Sequence, residues 1–167
     1  MRRERAERIT PGPGQESVWD YPRPPRVEAV TARITVTLGG VRIVDTTSAV
    51  RVLETSHPPV YYVPRSDIAP GSLESAQGDS WCEFKGRAKY LTVRAADAVA
   101  PRSAWFYPNP TPGFEVLADM VAIYPSAMDE CTVRGEVVTA QEGDFYGGWI
   151  TSMVVGPFKG APGTLGW

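Results

Sequence analysis

The sequence predicts a mainly β protein. It reads as a single domain, an antiparallel sandwich or partly open barrel of about eight or nine short strands, with one or two short helices and extended terminal arms. Three observations carry this prediction. Apolar and polar residues alternate with period two in several short runs, which is strand spacing. Gly and Pro, 16 of each in 167 residues, punctuate the chain too often for long helices. No strand–helix–strand alternation is visible, so a parallel sheet is not expected.

Composition bounds the function as well. A chain of 167 residues suits one domain. A hydrophobic fraction of 43% is too high for a disordered chain. No apolar run approaches the roughly 20 residues that span a bilayer, so no membrane partner is expected. A net charge of −2 argues against a nucleic-acid partner, because such proteins are normally basic. One His and two Cys cannot build a His-rich metal site, a four-Cys zinc site or a disulfide framework. No metal and no cofactor are expected. Arg2, Arg3, Arg5 and Arg8 near the start have no apolar stretch behind them. That is not a secretory signal, so a cytoplasmic location with reduced thiols is expected.

The Gly and Pro residues divide the chain. Residues 1–30 hold seven and residues 143–167 hold nine, while the middle is close to average. Residues 1–15 read as a flexible basic tail. Residues 16–30 read as an extended arm, since Pro22, Pro24 and Pro25 force extended geometry and Val18, Trp19 and Tyr21 seek cover. Residues 31–142 form the β core. Residues 143–167 form a Gly-rich arm anchored by Phe145, Tyr146, Trp149, Phe158 and Trp167.

Within the core, residues 32–38 and 41–44 alternate around Gly39-Gly40, a hairpin with a primed turn in which Leu38 faces Val41 and Val36 faces Ile43. Residues 49–53 form the next strand. Pro58 and Pro59 force a turn, because prolines cannot sit in a central strand. Residues 60–63 are a short strand ended by Pro64, with one helical turn over 65–68. Residues 69–80, rich in Ser and Gly, read as the main loop. Residues 81–85 and 88–94 are strands interrupted at Gly86, and 103–107 continue the sheet. Thr111 is a candidate cap for a short helix starting at Pro112, and 121–124 is a candidate strand. Residues 131–138 close with a hairpin around Arg134-Gly135.

The chemistry concentrates in two segments. His57, the only histidine, follows Glu54 by three residues, and a turn brings these positions together. A Glu–His pair orients an imidazole for proton transfer. The alternative is a structural histidine beside two prolines. Cys82 has Lys85 three positions on, and a nearby ammonium activates a thiol. Strand parity instead pairs Cys82 with Phe84 and Glu83 with Lys85, which makes Cys82 a small buried side chain. Lys85 is a candidate contact for an anionic ligand, or else the partner of Glu83. His57, Cys82 and Cys131 lie too far apart in sequence, with no Cys-x-x-Cys, to argue for zinc. Tyr61, Tyr62, Tyr90, Trp105, Tyr107 and Tyr124 combine apolar rings with polar handles, as pocket walls do.

Several of these runs carry a resemblance. Glu54-Thr-Ser-His57-Pro-Pro59-Val-Tyr61-Tyr62-Val-Pro64, Trp81-Cys82-Glu-Phe-Lys85-Gly86-Arg-Ala-Lys-Tyr90 and Trp105-Phe-Tyr107-Pro-Asn-Pro110 resemble domain-of-unknown-function family 427. Phe145-Tyr146-Gly147-Gly148-Trp149 and Gly156-Pro-Phe-Lys159-Gly160 resemble its longer members, so the likeness spans roughly residues 16–167. It implies a small, mainly β bacterial protein with no established activity. Many members carry an aromatic where this chain has Leu91, a departure expected to touch one wall of a pocket. Automated naming often labels members nucleotidyltransferases. Such enzymes follow a Gly-Ser turn with paired carboxylates that hold Mg²⁺. Here Asp79 alone follows Gly71-Ser72 at a suitable distance, its i+2 neighbour is Trp81, and no phosphate-binding Gly-rich loop is present.

The expectation is therefore a small-molecule ligand, anionic or nucleotide-like, in a cleft between the 54–62 turn and the 81–90 hairpin. His57 would be the proton shuttle, Glu54 its orienter, Lys85 the anion contact and Tyr61 or Tyr62 a stacking wall, with Cys82, Tyr90 and Trp105 nearby. The rival expectation is a non-catalytic structural or interaction module whose Trp-rich arms pack on the core or on a partner. The sequence leaves the oligomeric state open.

Overall fold

A computed structural model describes residues 6–143 and 145–167. Arg2, Arg3 and Arg5 of the basic tail lie outside the described residues. The period-two runs fold into two main antiparallel sheets. The larger has seven strands, in spatial order Arg26–Ala29, Val50–Leu53, Val60–Pro64, Met120–Ile123, Ala98–Phe106, Gly86–Ala95 and Leu73–Cys82. The smaller orders Glu136–Val137, Glu130–Val133, Ile34–Leu38 and Val41–Thr46. The sheets form a β-sandwich and do not close into a barrel. Short 3₁₀ turns at Val18–Asp20, Arg65–Asp67, Glu115–Asp119 and Pro125–Ala127 are the helical elements among the described residues.

Strand alternation gives the large sheet two different faces. Tyr61, Val63, Leu91, Val93, Val121 and Ile123 point between the sheets and pack with Ile34, Val36, Ile43 and Cys131. Tyr62, Ala88, Tyr90, Trp105, Met120 and Ala122 point the other way and form a second cluster with Tyr107, Phe114 and Leu117. Among the described residues the segment around 107–119 and part of the C-terminal arm partly cover that outer face. The partial cover is what leaves room for a cleft.

The structure alters several expected elements. The first hairpin turns on Gly39 and Gly40, both at positive φ, with Leu38 opposite Val41. A bulge after Val36 then shifts the register, so Val36 faces Val44 rather than Ile43. Residues 73–82 are not a loop but the edge strand of the large sheet. Its side chains are exposed or half-buried throughout, which is why it reads as polar. The strand ends at Cys82, and residues 83–85 form the turn into Gly86–Ala95. The parity argument therefore fails beyond Cys82. Thr111 caps no helix; its hydroxyl donates to the Phe84 carbonyl and ties down that turn. Leu91 is buried between the sheets, so its departure from the family pattern touches no wall of the outer-face cleft.

The two arms meet each other. Glu16–Ser17 pairs in parallel with Val154–Val155. The Trp19 indole donates to the Pro157 carbonyl at 2.8 Å, and Val18, Tyr21, Leu53 and Val154 form a small core beneath. Ile9 donates to the Gly156 carbonyl. Trp149 is the deepest anchor of the C-terminal arm. It is buried against Tyr61 and donates its indole N–H to the Ile123 carbonyl at 3.2 Å.

Candidate functional site

The outer face of the large sheet carries a cleft of about 470 Å³. Four stretches of chain supply most of its lining, and Tyr124 adds to it. The strand Val60–Pro64 contributes Tyr62, and the preceding turn contributes Glu54 and His57. The hairpin tip contributes Trp81, Cys82, Phe84 and Lys85, with Tyr90 beyond it. The strand Ala98–Phe106 contributes Trp105, followed by Tyr107. The C-terminal arm closes the rim with Phe145, Tyr146 and Lys159.

The 54–57 turn explains how Glu54 and His57 converge. His57 N–H donates to the Glu54 carbonyl, and Ser56 sits between them at φ 72°, in the left-handed region. Glu54 Oε2 then lies 3.5 Å from His57 Nε2 and 3.5 Å from Arg23 Nη2. The other side of the imidazole meets the C-terminal arm. Gln141 Oε1 accepts from Gly148 N–H, which fixes its amide so that Nε2 faces His57 Nδ1 at 3.3 Å and donates to the Lys159 carbonyl at 2.7 Å. An amide donor at Nδ1 leaves the ring proton on Nε2, toward Glu54. The Tyr146 ring meets the imidazole edge-on at 4.9 Å.

Burial, followed by the charges of Lys159, Arg23 and Lys85, pushes the His57 pKa down to about 3. A proton shuttle near neutral pH needs a pKa near the working pH. His57 is instead a neutral imidazole with one N–H to offer.

Lys85 behaves in the opposite way. Burial opposes its charge, but Tyr62, Cys82 and Glu54 around it hold its pKa above the ordinary lysine value. Its ammonium lies 5.9 Å from the Tyr107 ring centroid, and that of Lys159 lies 5.4 Å from the Tyr146 ring. Among the described residues neither ammonium has a carboxylate within 4.0 Å. Burial raises the pKa of Tyr62 and of Tyr107, so both phenols stay protonated. Trp105 packs on Tyr124 at 4.6 Å, and Tyr90 donates to Ser80 at 3.1 Å.

Glu54, His57, Tyr62, Cys82, Lys85, Tyr90 and Trp105 thus line one cleft. Tyr61 does not. Alternation sends it between the sheets onto Trp149, beside a second, smaller cleft near Arg51. Sequence reasoning missed Trp81, Phe145, Tyr146 and Lys159 as cleft residues. Tyr146 and Lys159 come from far along the chain, and no local spacing links them to His57. Gly71, Ser72 and Asp79 line neither cleft, and Asp79 faces Arg87 at 3.6 Å on the surface. Among the described residues no group of three or more His, Cys, Asp or Glu side chains is placed to hold a metal ion. Cys82 and Cys131 are free thiols, and burial pushes Cys131 up to about 12.

A family model described as domain of unknown function (DUF427) matches residues 26–134. No curated protein matches the chain.

Proposed function

The chain belongs to the DUF427 family, whose description assigns no reaction, and from that premise we propose that this protein binds a small anionic molecule in the outer-face cleft. One observation carries the reading: two lysines without carboxylate partners among the described residues enter one aromatic-walled cleft together with a neutral histidine. Lys85 and Lys159 are the anion contacts. Tyr62, Trp105 and Tyr107 are the apolar wall. His57 holds the 54–57 turn against the arm, with its Nε2 3.5 Å from Glu54 Oε2. The volume suits a metabolite rather than a peptide or a nucleic acid. We assign the protein to the reducing cytoplasm, where both cysteines stay thiols.

The structural-module reading has one observation in its favour. The His57–Gln141–Gly148 network also serves as a clasp for the C-terminal arm.

Thermal unfolding with small anions separates the two readings. Phosphate, ribose 5-phosphate, AMP and indole-3-acetate are the probes. A ligand that binds only the folded state raises Tm by mass action, about 2.7 kcal/mol of stabilisation at a hundred times Kd. At least one anion raises Tm in the wild type, and Lys85→Met abolishes the rise. A flat response to every anion leaves the clasp as the better reading.

A further inference from the structure

Three polar groups at the floor of the cleft lack a protein partner. Comparable groups elsewhere in the chain are used. The hydroxyls of Tyr21, Tyr90 and Tyr124 donate to Glu16, Ser80 and the Phe145 carbonyl, and the indoles of Trp19 and Trp149 donate to carbonyls. Tyr62, Tyr107 and Trp105 are deeply buried, at 1%, 5% and 7% exposure. Among the described residues their hydroxyls and indole N–H form no hydrogen bond, yet the buried polar side-chain atom sealed off there without a partner is Ser56 Oγ. The three polar tips are therefore not sealed in; they open into the cleft that their rings line. Sheet geometry brings them together. Tyr62 pairs with Ala122, and Ala122 pairs with Trp105, so the three stand in one row on the outer face. The small Ala122 between them leaves the two rings room to meet edge to face, 6.3 Å apart. The Tyr107 ring lies 6.4 Å from that of Tyr62 and 5.9 Å from the Lys85 ammonium. Burial keeps both phenols protonated, and the Lys85 charge reaches the Tyr62 hydroxyl.

We infer that Tyr62, Tyr107 and Trp105 are the hydrogen-bond donors of an oxyanion subsite at the cleft floor, which together with Lys85 takes the ionised head of the ligand, a carboxylate or a phosphate. The inference rests on the anion-binding reading and gives its aromatic wall a polar end. An indole N–H and an ammonium only donate, and each protonated phenol has one proton to give. An amide nitrogen or an ammonium on the ligand would set donor against donor here. An ionised oxyanion supplies acceptors to all four groups, through charge-assisted bonds about twice as strong as neutral ones. An ammonium is a point charge, unlike the arginine fork that matches planar acids, so it accepts carboxylate and phosphate alike. The shared chemistry is the oxyanion, and experiment decides the acid.

Calorimetric titration of the full chain tests this, with phosphate, ribose 5-phosphate, AMP and indole-3-acetate as probes. The tightest binder names the acid. Tyr62→Phe and Tyr107→Phe each weaken that binder about tenfold, the effect of losing one hydrogen bond to a charged acceptor. Both substitutions keep the ring and remove a hydroxyl that has no protein partner among the described residues. The Tm of each variant without ligand is therefore expected to equal that of the wild type or to exceed it. A hydroxyl with a structural role would lower it. Affinity lost with the ligand-free Tm preserved supports the inference. If both Phe variants bind like the wild type, or lose affinity only together with ligand-free stability, the oxyanion subsite is wrong. The anion cleft then still stands if Lys85→Met weakens the same binder. If no probe binds the wild type, both readings fall.

Discussion

His57 carries the only imidazole in the chain, and its environment works against charging it. The folded-state pKa lies near 3, below the unfolded value of about 6.5. Its contribution to stability is therefore complete above about pH 6.5 and is lost as the pH falls toward 3. Between pH 7.5 and pH 5 this group alone costs about 2 kcal/mol. Urea unfolding at the two pH values, in the wild type and in His57→Gln, isolates the effect from the carboxylates. The wild type loses about 2 kcal/mol more than the variant on acidification. Equal losses contradict the neutral assignment. Ser56, next to it, is buried with no partner for its hydroxyl among the described residues. An unsatisfied buried hydroxyl costs about 1–3 kcal/mol, so Ser56→Ala raises stability, with about 1 kcal/mol expected in the same assay.

At the scale of elements, the C-terminal arm approaches the cleft through Gly147 and Gly148. A Cβ on Gly147 would lie 2.6 Å from Trp105 Cη2 and 3.0 Å from Tyr124 Cδ1, and its φ is 90°. A Cβ on Gly148 would lie 2.5 Å from Gln141 Oε1. Gly147→Ala therefore strains the backbone and pushes Trp105 off its seat. Differential scanning calorimetry is expected to register a loss of about 1–3 kcal/mol. The elements were unequally legible in the sequence. The Gly39-Gly40 hairpin was plain because its turn and both its strands are local. The strand 73–82 was hidden because an edge strand carries little apolar pattern. The 83–85 turn was hidden for a different reason: Thr111, some 26 residues on, ties it down. Of the site, Glu54, His57 and Lys85 were legible from turn chemistry and charge. Tyr146 and Lys159 were not, because only the folded arm brings them there.

The whole molecule is a sandwich with unequal outer layers. One face of the large sheet is covered by the small sheet, and among the described residues the other is partly covered by the 107–119 segment and the arm. Trp149 anchors that arm from the covered side, without touching the cleft on the other. Trp149→Ala is expected to cost about 3–5 kcal/mol in chemical denaturation. It also weakens anion binding, because Tyr146 and Lys159 lose their support. A full stability loss with unchanged affinity would separate the arm from the site. The orientation of Tyr61 and Tyr62 was open in the sequence for the same global reason. Alternation guarantees opposite faces, but only the sandwich decides which face is closed.

The most direct measurement of the central claim is the long-range ¹H–¹⁵N spectrum of His57, whose single imidazole needs no assignment. With the full chain, the spectrum is predicted to report a neutral Nε2–H ring from about pH 8 to pH 5. Titration with the anions is predicted to move it, and Lys85→Met to abolish the movement. An imidazole that protonates near pH 6.5 and ignores every anion would contradict the account.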